Sequence, residues 1–145
     1  MTLKKSVILF IILLFGLFLL RYVTVVTQEK PNENSLTTKA ELHVTSEDLV
    51  TSFLSNEELA NATYVEKTIE VEGIVKEVTF LNNRYTVLLQ GSGEYMCIMC
   101  DMKEDQIAQV QTLTKGNSVV LKGICKGFLM DAILLNCVLV KKTDE

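Results

Sequence analysis

The residues whose types and spacing come nearest to chemistry are four cysteines, Cys97, Cys100, Cys125 and Cys137. Cys97-Ile98-Met99-Cys100 spells C-x-x-C, the spacing of a thiol-disulfide exchange site. Such a site needs its first sulfur at a helix N-terminus, where the thiolate is stabilised. Here the first cysteine falls inside a run that reads as a strand, and residues three apart in a strand point to opposite faces. Thiol-redox chemistry at Cys97/Cys100 therefore stays as an alternative reading. A zinc site from all four would have the spacing C-x2-C-x24-C-x11-C, unlike the paired knuckles of a zinc ribbon. The only histidine, His43, lies in a polar stretch without ligand partners nearby, so no metal is expected. No Ser-His-Asp set and no G-x-x-x-x-G-K-[ST] loop exist. Glu57-Glu58 and Glu104-Asp105 read as first-turn helix charges, and Glu70 and Glu72 as a solvated strand face. The expectation is a protein that is not an enzyme and carries no cofactor.

The elements that would hold these residues follow from hydrophobic period. Over residues 46–63, Leu49, Val50, Phe53 and Leu54, then Leu59, Ala60 and Ala62, follow helical spacing. Thr45 and Ser55 offer caps, so the segment reads as one broken helix or two short ones. Ile69, Val71, Gly73 and Val75 then alternate as a strand, with Gly73 at a bend. Residues 81–84 turn, 85–90 form a second strand, 91–93 turn again, and 95–99 form a third. Residues 101–114 return to helical spacing through Ile107, Val110 and Leu113, and Gly116 follows the end. Residues 118–126 and 132–140 are two more strands around a turn at 127–131. Inward candidates are Ile69, Val71, Val75, Val87, Leu89, Val119, Leu121, Ile133, Leu135 and Leu139.

Three strands, a helix and two strands is the order of a five-stranded OB-fold barrel, so the fold class is mainly β with helices. An SH3-like barrel lacks a helix at that place. OB-folds bind through their second and third strands and the loops joining strands one–two and four–five. Those positions here are Asn82, Asn83, Arg84, Tyr85, Tyr95, Lys126 and Phe128. Arg84 with Tyr85 and Tyr95 could stack on a base or sugar ring, or the tyrosines could simply close the barrel ends. Cys125 and Cys137 lie on consecutive hairpin strands, and a small bulge would bring them opposite each other. That predicts a Cys125–Cys137 disulfide, against the plainer reading of two buried thiols.

A family resemblance rests on these same strands. Residues 61–73 (NATYVEKTIEVEG) resemble the approach to the first strand of the tRNA_anti-like OB-fold family, and residues 115–127 (KGNSVVLKGICKG) its fourth. Leu135-Asn136-Cys137 resembles its closing strand, and Cys97 matches a third-strand position, whereas Cys100 falls outside the pattern. The likeness covers roughly residues 46–140. It implies an OB-fold akin to anticodon-binding domains and an exported or membrane-anchored bacterial protein.

The N-terminus fits such an address. Seventeen of the twenty residues from Val7 to Val26 are apolar. Counted from Ser6 to Val26, with Arg21 snorkelling, the run is long enough to cross a bilayer as a helix. Lys4 and Lys5 precede it, which predicts a cytoplasmic N-terminus and an extracytoplasmic domain at the inner membrane. The alternative is a cleaved signal peptide and a secreted or periplasmic domain, although no A-x-A-like site follows. The domains are then a membrane segment at 1–27, a polar linker at 28–44 and the OB-fold at 45–145.

Residues 28–145 hold 11 Lys/Arg against 18 Asp/Glu, whereas the whole chain is only at −4. A domain near −7 repels polyanions and gains no counterion-release affinity from phosphate. The leading expectation is a tethered binding module for a protein or small envelope ligand. Single-stranded nucleic acid is the alternative partner, favoured by the family and disfavoured by charge.

Overall fold

The computed structural model describes residues 14–16, which are helical, and residues 39–143. The membrane-segment reading falls outside these residues except at 14–16. Among the described residues no helix is long and apolar enough to cross a membrane. The elements of the domain are β1 (Leu42–Thr45), α1 (Ser46–Ser55), α2 (Glu57–Tyr64), β2 (Thr68–Leu81), β3 (Arg84–Gln90) and β4 (Cys97–Met102). A 3-10 turn (Glu104–Gln106), α3 (Ile107–Val110), β5 (Ser118–Leu129) and β6 (Asp131–Thr143) complete them.

The strands run β2-β3-β4-β6-β5, and β5 pairs back onto β2, which closes a five-stranded barrel. Closure depends on the length of β2. Its first half, Thr68–Ile74, pairs with β5, and its second half, Val75–Leu81, pairs with β3 across a bulge between Val75 and Glu77. Such a bulge bends the strand enough to serve two neighbours. Paired residues form interior layers. Val78, Val87, Cys100, Leu134 and Cys125 are successive ladder partners, one from each of the five strands. Two cysteines thus serve as small core residues in one layer. The next layer holds Val75, Leu89, Ile98 and Ala132, all fully buried.

Both barrel ends are closed. At one, α1 inserts Leu49, Val50 and Phe53, and Phe53 stacks on Phe128 at 5.5 Å. Thr45 caps this helix by accepting from the Asp48 backbone N–H at 3.1 Å. Gly73 permits the approach, because a Cβ there would sit 2.7 Å from Ser46 Oγ. At the other end Val110 and Leu113 are buried beneath α3. Buried Gln106 accepts from the Leu139 N–H at 3.1 Å and so pins the preceding turn to β6.

Several expectations are corrected. Residues 42–44, assigned to the linker, form β1, which pairs in parallel with β2; His43 meets Glu70 at 2.9 Å. A strand this short shows no usable alternation in sequence. The helix expected over 101–114 shrinks to the 3-10 turn and α3, because β4 continues through Met102. On β6 the inward face is Ala132, Leu134 and Cys137, rather than Ile133 and Leu135, and Leu139 packs against the core as expected. Asn136 takes a left-handed backbone (φ 55°), and the pairing of β5 with β6 slips there. One inserted residue reverses a period-two reading on one side of it.

Candidate nucleic-acid or protein interface

The cysteines are settled by register. The β5–β6 hairpin turns tightly, with Leu129 opposite Asp131, so Cys125 faces Leu134 and not Cys137. Cys137 lies opposite Met102 of β4, with its sulfur in the space Gly123 leaves open. All four cysteines are free and buried, and the expected Cys125–Cys137 disulfide is not formed. The C-x-x-C pair lies wholly within β4, away from any helix N-terminus. Its sulfurs point to opposite faces, Cys100 into the barrel and Cys97 toward Lys76, whose ammonium donates to Cys97 Sγ at 3.4 Å.

Burial pushes the Cys125 thiol up; a Gly127 backbone hydrogen bond lowers it and the Glu66 charge raises it further. Burial raises the Cys137 thiol well above its ordinary value, and its hydrogen bond with Cys100 adds to this. Both groups favour the protonated thiol in the fold. Their contribution to stability is therefore complete below the unfolded thiol range, about 8.5, and is lost as pH rises toward the folded values. Unfolding midpoints should be flat in this respect at neutral pH and fall above about pH 9. Cys137→Ala should flatten that fall, measured by urea titration across pH.

The seven candidate contact residues do not converge. Asn82 and Asn83 form the β2–β3 turn, both left-handed (φ 50° and 63°), which is a type I′ geometry matched to strand twist. Arg84 follows on β3, but its guanidinium is held by Asp101 at 2.9 Å. Tyr85 turns inward: its ring lies 4.5 Å from that of Phe80, and its hydroxyl accepts from Gln111 Nε2 at 2.9 Å. Tyr95 lies beyond the opposite end of β3, about 20 Å away for seven extended residues, and is 84% exposed. Lys126 sits on β5, across the barrel from the β3–β4 seam, and pairs with Glu66 at 2.8 Å. Phe128, stacked on Phe53, belongs to the closed end of the barrel.

A different set shares the outer face of β2, β3, β4 and β6. Glu77, Leu88, Met99 and Ile133 are ladder partners in one row. Toward the β2–β3 turn the row is Thr79, Thr86 and Asp101. Toward the other end, the Cys97 N–H donates to Asp131 Oδ1 at 2.8 Å, which ties the β3–β4 loop to the β5–β6 hairpin. Tyr95, two residues before Cys97 on the loop so tied, and Leu129 and Met130 of the hairpin are 84%, 80% and 84% exposed. Lys76 donates to the Glu94 carbonyl at 2.9 Å as well as to Cys97. The sequence carried one signal for this rim. A turn reading Phe128-Leu129-Met130-Asp131 holds large apolar residues where polar ones are usual.

The sequence matches the tRNA_anti-like family over residues 1–139. This chain belongs to the tRNA_anti-like family. Among solved structures, the tRNA_anti-like chain is similar to a lipoprotein from Klebsiella pneumoniae named as a candidate nucleic acid-binding protein. The identity is 15% and the TM-score 0.54, over 78% of this chain and all of that one. Asparaginyl-tRNA synthetase from Pyrococcus horikoshii matches at 12% identity and a TM-score of 0.45, over 56% of this chain and 20% of the synthetase. At 15% identity the likeness to the Klebsiella lipoprotein is one of fold. A search of curated proteins finds no match.

Proposed function

We propose that this tRNA_anti-like chain is a non-enzymatic binding module, tethered at the outer side of the cytoplasmic membrane, that uses the outer face of β2, β3, β4 and β6. One observation carries the reading. Arg84 and Lys76, cations on that face, are engaged by the protein itself, while Met99 of its apolar row and Tyr95, Leu129 and Met130 at its rim are exposed. A phosphate backbone would have to break the Arg84–Asp101 pair and would meet Glu77 and Glu94 besides. The tether rests on the apolar run at residues 6–26 and the two lysines before it.

A second reading, single-stranded nucleic-acid binding, is favoured by the family and by the name of the Klebsiella lipoprotein. Fluorescent oligouridylate titrated at low salt into the full chain in mild detergent separates the two. The proposal expects no saturable binding. Micromolar binding that disappears in Arg84→Ala would refute it and establish the second reading.

A further inference from the structure

The rim formed by Tyr95, Leu129 and Met130 belongs to no core layer and stacks on no ring of the domain. Met130 also holds a left-handed backbone (φ 69°), a conformation that a side chain at this position makes unfavourable. The hairpin tip thus keeps a large exposed thioether where glycine would be easier. On the same outer face Met99 is 39% exposed, with half-buried Leu88 and Ile133 as its ladder partners. Methionine is unbranched and polarisable, so Met99 and Met130 can mould to varied apolar side chains.

The charge around this surface selects the partner. Glu77, Glu94, Asp101 and Asp131 border it against Lys76 and Arg84; the Arg84–Asp101 pair cancels, and a balance of two negative charges is left. An acidic face on an acidic domain repels nucleic acid and anionic lipid headgroups alike. It attracts a positively charged chain that also offers apolar side chains. We infer that the rim of Tyr95, Leu129 and Met130, with the Leu88–Met99–Ile133 row, is the docking surface for a cationic, apolar segment of another polypeptide. This rests on the proposed use of that face and adds the chemistry of the partner.

The test titrates the full chain in mild detergent with a labelled peptide of alternating lysine and leucine. A lysine–serine peptide and a glutamate–leucine peptide are the controls. The lysine–leucine peptide should bind saturably and at least about tenfold tighter than either control. Leu129→Ser and Met130→Gly should each weaken it about tenfold. Met130→Gly also relaxes the left-handed backbone, so its thermal midpoint should hold or rise, which separates lost binding from lost folding.

Equal binding of the lysine–leucine and lysine–serine peptides, or unchanged binding in both variants, would overturn the inference and leave the proposed function standing. Self-association abolished by Leu129→Ser would overturn it in favour of a second copy as the occupant. Oligouridylate binding lost in Arg84→Ala would overturn both this inference and the proposed function.

Discussion

Leu134→Ala should destabilise the domain by about 2–5 kcal/mol, because it empties a fully buried side chain from a layer that all five strands share. Cys100 and Cys125 flank the site on the two neighbouring strands, and a closed ladder gives little room to collapse into the cavity. Leu135→Ala, one residue on and only partly buried, should cost about 1–2 kcal/mol. The contrast between adjacent leucines tests the phase of β6 directly. Equal costs in urea titrations followed by circular dichroism would mean that the strand does not present Leu134 to the core.

Gly123→Ala should cost about 1–3 kcal/mol by overpacking. A Cβ at that position would lie 2.5 Å from Cys137 Sγ and 3.1 Å from the Leu135 carbonyl. The sulfur is enclosed on every side, so it has no free direction in which to move. Cys137→Ala removes it, and by itself leaves a small cavity. The double substitution should be more stable than the sum of the two costs implies, with a coupling of about 1 kcal/mol or more. Strict additivity would show that the carbonyl, and not the thiol, sets the limit. Register, which puts Cys125 opposite Leu134 and Cys137 opposite Met102, keeps this pair of cysteines from bridging.

The fold was legible where period and turn chemistry agree. The five barrel strands, the cap at Thr45 and the Asn82-Asn83 turn can all be read from local residue types. On β6 the alternation misled, because Asn136 inserts one residue and neither the bulge nor its position shows in the pattern of apolar letters. The expected Cys125–Cys137 bond fails on the same strand, since a hairpin's register depends on a turn whose length is ambiguous in sequence. The candidate site was less legible. Arg84, Lys126 and Phe128 have the right types for ligand contact, but Asp101, Glu66 and Phe53 claim them from distant parts of the chain. Such claims are tertiary and leave no mark at the residue claimed. Tyr95 alone of the aromatic candidates stays open, because no helix or strand covers the end of its loop.

The way β2 is shared has a consequence for how the molecule is made. Its first half waits for β5, whose residues begin nearly fifty positions later at Ser118. The β2–β3 and β3–β4 hairpins can form as soon as they are synthesised, while Thr68–Ile74 keeps an unsatisfied edge until β5 has emerged. During that interval the domain is an open sheet with a sticky seam. Closure is therefore a late event of high contact order, and nascent chains stopped before Ser118 should be captured by holding chaperones or aggregate, however sound their first three barrel strands.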